Sequence, residues 1–396
     1  MTITDTPAPL AAADDLTRQL LDRRSEPAEN PQLEALALAV TANLPVLLWG
    51  EPGIGKSAGL ERLALELGLP LETVIASVHE PSDFSGLPVV GDDPARDGVP
   101  MAPPAWAVRL AARGTGLLFF DELSSAPPAV QAALLRVVLE RRVGSLELPP
   151  AVRIVAAANP PSSAADGWHL APPLANRFVH LRWTHDPRTV ARGMTGVWPA
   201  ASMPLVAPDR VSTAIAQARG VVSGFLTARP GLAHSLPESA EGRGGAWPSP
   251  RTWEMVLRLL ATGGAAGASR QALSEAVVGA IGDGAGLELL SYMEQLDLPD
   301  PNRVLADPKA FALPERGDRQ LAFLTAVVSA VRSEPTRRRW EAGWQVLAKA
   351  VEAGVPDVAA RAATDLAMMR DPAWPVPEDI DAFVDLLRLS GALPGS

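Results

Sequence analysis

The stretch Val46-Leu47-Leu48-Trp49-Gly50-Glu51-Pro52-Gly53-Ile54-Gly55-Lys56-Ser57 decides the fold. With Pro45 ahead of it, Val46–Trp49 is a continuous apolar run closed by a glycine, which is how a strand buried on both faces reads. The next eight residues fit G-x-x-x-x-G-K-[ST] in full. In that pattern the glycines let the backbone turn so that successive N–H groups converge on phosphate oxygens. The helix that follows adds the partial positive charge of its N-terminus. Lys56 is expected to reach the β- and γ-phosphates and the Ser57 hydroxyl to ligate Mg²⁺. The candidate nucleotide-binding residues are Gly50, Glu51, Pro52, Gly53, Ile54, Gly55, Lys56, Ser57 and Ala58.

Outward from this loop, strand and helix patterns alternate. Asn30-Pro31 reads as a cap with proline at the first helical position, and Gln32–Thr41 carries the helix. Lys56–Leu67 is a helix ending at Gly68, and Leu71–Ala76 is a second strand. Leu117–Phe120 is a third, Pro127–Arg142 a helix, Val152–Ala158 a fourth strand and Phe178–Trp183 a fifth. This alternation predicts an α/β domain, a three-layer core with a parallel sheet covered on both faces. Beyond it the strand signals stop. Helices are expected over Arg210–Leu226, Arg251–Thr262, Arg270–Ile281, Gln320–Val331, Arg338–Val351 and Pro356–Met369, with a loop over Ala228–Pro250. The expected division is an N-terminal arm (1–30), an α/β nucleotide-binding domain (31–194), a Pro-rich linker (195–208), an all-α lid (209–298) and a further C-terminal helical module (299–396).

Two more strand ends carry candidate chemistry. Leu117–Phe120 delivers Asp121 and Glu122 at its C-terminal end, the edge where open α/β sheets bind ligands. Asp121 is placed to hold a magnesium coordination shell and Glu122 to polarise an attacking water. Val155-Ala156-Ala157-Ala158 ends in Asn159, whose amide can position that water if its strand lies beside Phe120; a turn-forming Asn before Pro160 is the plainer alternative. Arg177, just before the fifth strand, and Arg251, after Ser249-Pro250, are suited to planar phosphate recognition.

Composition excludes several other classes. The 396 residues contain no cysteine, which removes disulfides, thiolate metal sites and cysteine nucleophiles. A formal charge of −10 and no long basic stripe argue against nucleic acid as the main partner. The N-terminus lacks a signal-peptide pattern and the apolar runs are short, so the expectation is a soluble, cytoplasmic protein with no membrane span.

Taken together, these residues resemble the AAA+ ATPases and, within them, the MoxR family. Gly50–Ser57 is similar to Walker A, Leu117–Glu122 to Walker B and Asn159 to sensor 1; Arg177 looks like the arginine finger and Arg251 like sensor 2. The run from Asp121 through Ala126-Pro127 to Gln131-Ala132-Ala133-Leu134-Leu135 also follows the family pattern. Asn176 stands where the family often has Asp, and Ser124-Ser125 replaces a more polar or basic pair. The resemblance implies a P-loop NTPase fold that binds ATP with Mg²⁺ and hydrolyses it, and a homo-oligomeric ring, usually of six subunits. It implies that Arg177 acts in trans and Arg251 in cis. It further implies chaperone-like remodelling of a protein substrate, often one with a von Willebrand factor A-type domain. A nucleic-acid motor or loader is the alternative the same core supports. Phe84, Trp106 and Trp168, near an insert between the second strand and Walker B, are candidate partner contacts; ordinary packing is the competing reading.

Overall fold

The computed structural model describes residues 30–90, 98–160, 168–196, 205–295 and 298–384. All but the last residue of the arm expected over 1–30 and most of the linker expected over 195–208 lie outside these, as does part of the insert.

The chain enters on α1 (Pro31–Thr41), whose N-terminus is capped by Asn30: its side chain accepts from the Leu33 amide. Then come β1 (Val46–Trp49), α2 (Lys56–Glu66), β2 (Leu71–Ile75), α3 (Ala105–Arg113), β3 (Thr115–Asp121), α4 (Pro128–Glu140), β4 (Ala151–Ala158) and β5 (Val179–Arg182). The five strands form one parallel sheet in the order β2-β3-β4-β1-β5. β1 therefore lies between β4 and β5, although neither is its neighbour in the chain. This order places the ends of β1, β3 and β4 side by side at one edge.

The unbroken apolar runs follow from burial on both faces. Val46 and Leu48 point into one core with Phe119, Val155 and Leu181. Leu47 points into the other with Phe120, Ile154 and Ala156. Phe84 and Trp106 belong to this second core. They are 1% and 8% exposed and stack at an edge against Phe120, so of the two readings of these residues packing holds. Trp168 alone of the three is exposed.

After β5 the described chain is helical. α5 (Pro187–Met194) is a short helix capped by Asp186 that the sequence reading passed over. It is followed by α6 (Pro208–Ala228), α7 (Pro250–Ala266), α8 (Arg270–Ile281), α9 (Asp283–Gln295), α10 (Pro301–Ala306), α11 (Gly317–Ser333), α12 (Arg337–Glu352) and α13 (Pro356–Ala367). α9 opens on Asp283-Gly284-Ala285-Gly286, whose low propensity hid it from the sequence pattern.

The helices α7 and α8 do not carry a core of their own. α7 and α8 bury Val256, Leu259, Ala276 and Val277 in the same cluster as α1 and one face of the sheet. α6 divides its sides: Val221 and Phe225 enter that cluster, and Ala216 enters a third one built on Phe323, Trp340, Trp344 and Leu366 from α11 to α13. No helix among the described residues is long and apolar enough to cross a membrane.

Candidate nucleotide site and its paired arginines

The loop between β1 and α2 is shaped by glycine. Gly53 and Gly55 have φ of +78° and +87°, in the left-handed region that side-chain-bearing residues rarely occupy. Gly50 is needed for a different reason: a Cβ there would meet the Trp183 carbonyl oxygen at 2.6 Å. Trp183 donates its backbone N–H to the Trp49 carbonyl, so β5 buttresses the start of the loop.

Lys56, the first residue of α2, folds back under this loop. Its ammonium donates to the Gly50 carbonyl at 2.6 Å, the Glu51 carbonyl at 3.0 Å and the Asn159 Oδ1 at 2.9 Å. Only 8% of the residue is exposed. Burial pulls its pKa down, and the charges of Asp121 and Glu51 oppose that pull. An ammonium out of water costs several kcal/mol unless its donors are used, and all three are used here. The lysine is thus pinned at the loop by all three of its donors.

Ser57 Oγ donates to Asp121 Oδ2 at 2.8 Å, which joins the loop to the end of β3. Asp121 Oδ1 accepts the backbone N–H of Glu122. Glu122 has φ +56°, a left-handed conformation unusual for a residue with a side chain. Its Oε2 accepts from Ser77 Oγ at 2.6 Å. Asn159 is fixed from behind, because its backbone N–H donates to Ser124 Oγ at 3.0 Å. Lys56, Ser57, Asp121, Glu122 and Asn159 therefore meet at one sheet edge.

The oxygens of Ser57 and Asp121 are the hard donors that Mg²⁺ takes, and a site with so few protein ligands suits an ion that keeps waters and phosphate oxygens in its shell. Among the described residues no cluster of three or more His, Asp or Glu forms a self-sufficient metal cage. A cavity of about 800 Å³ opens beside the loop, bounded by Trp49, Gly50, Glu51 and Asn159 on the sheet side and by Glu275 and Gly279 of α8 on the other. A shallower depression of about 430 Å³, with Arg219, Thr325 and Arg361 in its lining, holds none of the motif residues.

The two arginines are brought near each other around Asn176. Asn176, 2% exposed, closes the single helical turn Pro172–Ala175. Its Oδ1 accepts from Ser249 Oγ at 2.8 Å and from Arg251 Nη1 at 3.4 Å, and its Nδ2 donates to the Trp247 carbonyl at 3.2 Å. Ser249 is the N-cap of α7 and forms a capping box with Thr252, so the start of the lid helix is bolted to the residue before Arg177. Burial and then the nearby charge of Arg251 lower the Arg177 pKa. Arg177 donates to the Pro173 carbonyl, while its buried Nε has no partner. Neither arginine hydrogen-bonds to Lys56, Ser57, Asp121, Glu122 or Asn159 among the described residues. Arg177 and Arg251 thus lie near each other, with Arg251 bonded to Asn176 and its charge acting on Arg177.

Ser77, Ser124 and Gln131 are the residues that sequence reading did not assign. Gln131 is buried and bridges the Ala126 carbonyl to the Ala171 amide, linking the loop after β3 to the turn that leads into Arg177. A buried glutamine inside an otherwise apolar α4 face was the available signal for it. Ser77 and Ser124 carry no comparable signal, since an isolated serine in a loop has many uses.

Residues 45–178 match the family model described as AAA domain (dynein-related subfamily). Over 114 residues the chain is 33% identical to Protein MoxR of Methylorubrum extorquens, a match covering 28% of this chain and 32% of that one. The aligned part thus spans about a third of its relative. A crystal structure from Cytophaga hutchinsonii, described as "a putative ATPase", is 15% identical, with a TM-score of 0.43, and covers 73% of this chain and 98% of that one. Residues 45–178, which hold the loop after β1 and the carboxylates and asparagine at the ends of β3 and β4, are thus similar to AAA domains of the dynein-related subfamily, and part of the chain is similar to MoxR.

Proposed function

We propose that this protein hydrolyses ATP to ADP and phosphate, with the phosphates held on Gly50–Ser57. The observation that carries the reading is the set of bonds from Lys56 Nζ to the loop carbonyls and Asn159, with Ser57 already on Asp121. Groups fixed before the substrate arrives need no reorganisation when charge develops, which is where such sites gain most. In this reading Lys56 offsets charge on the transferring phosphoryl group, Glu122 accepts a proton from water, and Asn159 orients that water. A magnesium ion held by Ser57 and Asp121 would supply further charge neutralisation. Arg177 and Arg251, which hydrogen-bond to none of the loop and strand-end residues of their own chain among the described residues, would complete the site of a neighbouring copy in a homo-oligomeric ring, a hexamer by family resemblance.

The work done by turnover follows from the same resemblance: remodelling or maturation of a partner protein, with a von Willebrand factor A-type domain as the first candidate. The net charge of −10 favours this over a nucleic-acid motor.

The core of the proposal is tested by Lys56→Ala and Glu122→Gln. The first is expected to lose ATP binding, while the second keeps binding and loses turnover. Equal loss of binding in both would refute the division of roles. The ring is tested by dilution: specific activity should fall steeply, and a flat profile down to the monomer would remove the shared site.

A further inference from the structure

We propose that His180 is a positioning residue that ties the phosphate loop to the Arg177–Arg251 pair, through the Trp49 indole on one side and the Ala175 carbonyl on the other. The inference rests on reading that pair as phosphate-facing.

β1 and β5 are neighbours, with Leu47 opposite His180 and Trp49 opposite Arg182. Across them the Trp49 Nε1–H donates to His180 Nδ1 at 2.8 Å, and the two rings stack at 17°. On its other side His180 Nε2 lies 2.9 Å from the Ala175 carbonyl oxygen. An indole N–H can only donate and a carbonyl can only accept. The two partners therefore select one tautomer, with the proton on Nε2 and the lone pair on Nδ1. Burial pushes the His180 pKa down to about 4, so the ring is neutral near pH 7 and the tautomer persists.

The two ends of this bridge matter more than the bridge. Trp49 immediately precedes Gly50, whose carbonyl holds Lys56. Ala175 immediately precedes Asn176, which holds Ser249 and Arg251 and is followed by Arg177. A continuous bonded path thus runs from the loop to both guanidinium groups. The lid joins it as well: a Cβ at Gly279 would meet the His180 carbonyl oxygen at 2.3 Å, so α8 lies directly on this residue's backbone. In this arrangement a shift of the loop is passed to the arginines, and a neighbour's site is completed according to the state of this one. Coupling of this kind needs an energetic test, since a chain of contacts alone does not establish it.

The test compares full-length His180→Phe, His180→Gln, Trp49→Phe and Arg177→Ala for ADP affinity, kcat and melting temperature. His180→Phe and Trp49→Phe are expected to lower kcat at least tenfold while ADP affinity stays within threefold. His180→Gln, which can accept from Trp49 and donate to Ala175, is expected to recover kcat to within threefold of the parent. If His180→Phe turns over normally beside an inactive Arg177→Ala, the relay is wrong and the arginine pair stands. If Arg177→Ala turns over normally, the reading of the pair itself fails. Loss of ADP affinity in step with kcat, or equal damage in the Phe and Gln variants, would assign His180 to packing and overturn the relay. Should His180→Phe not fold, Trp49→Phe removes the same bond from the other side and decides the matter.

Discussion

Two charged regions at the sheet edge are built on opposite plans. Around the phosphate loop, Lys56 bonds to Asn159 and Ser57 to Asp121, and the Asp121 charge acts on Lys56 within the same chain. The Arg177–Arg251 pair is held by a neutral amide, Asn176, and has no carboxylate partner among the described residues. Burial and the nearby charge of Arg251 lower the Arg177 pKa, an arrangement that an anion from outside would relieve. The first region is complete in a single chain and the second is not. This difference is the physical ground for expecting the active site to be shared between copies.

The sharpest way to break that contrast is Arg177→Ala. An arginine supplied in trans is worth about 10³–10⁵ in phosphoryl-transfer rate. The variant should therefore lose about a thousandfold in kcat and keep its ATP affinity. Mixing it with Lys56→Ala, itself inactive, should restore activity, because each variant supplies what the other lacks. No recovery in the mixture would mean that the pair serves its own chain.

His180 links the two regions and makes their joint stability pH-dependent. Its pKa is about 4 in the folded chain, against an ordinary value of 6.5. Between those values the unfolded state binds the extra proton, so folding stability rises with pH across that window and is lost as pH falls from 6.5 toward 4. The full difference corresponds to about 3 kcal/mol. Melting temperature should drop between pH 7 and pH 5 more in the parent than in His180→Gln; equal drops would exclude His180 as the source.

Asn176→Asp would convert the neutral hub to the residue the MoxR family often has there. The carboxylate would pair with Arg251 and face the Trp247 carbonyl it can no longer donate to. Kinetic assays should show about a tenfold lower kcat, roughly the 1.4 kcal/mol that one lost charge-assisted contact represents. Unchanged kcat would mean that the missing carboxylate is not what leaves the pair open.

The smallest effect is expected at Ser77→Ala. Removing the 2.6 Å bond to Glu122 frees a carboxylate that must otherwise exchange that partner for water. Basal ATPase should rise by about threefold, in line with a hydrogen bond to a charged group in a solvated site. A fall would make Ser77 a positioning group for Glu122 instead of a restraint on it.

How legible was this in the sequence? The sheet and the loop were, because apolar runs buried on both faces and a glycine pattern with a fixed conformation leave local marks. β1, β3, β4 and β5 fall where the runs placed them. The residues at the strand ends were legible too, since position at the C-terminal end of a parallel strand is itself a local property. The pairing of Arg177 with Arg251, 74 positions apart in numbering, was not legible. It depends on a lid helix docking its N-cap onto Asn176, a contact between surfaces distant in the chain. Whether Phe84 and Trp106 pack or face a partner was open in the sequence for the same reason: an aromatic residue near an insert reads alike whether it faces solvent or folds under the sheet.

The sequence by itself determined a strand–loop–helix of phosphate-binding pattern, the two carboxylates and amide that accompany it, and an all-helical region after residue 208. These follow from backbone conformational limits, which act over a few residues. Tertiary structure alone decided the strand order that sets β1 between β4 and β5, the common core of lid and sheet, and the tautomer of His180. It also decided that the two arginines stand together. Each of these depends on which buried donors and acceptors meet across the fold, and a buried polar group takes whatever partner the packing brings, not the one nearest in the chain.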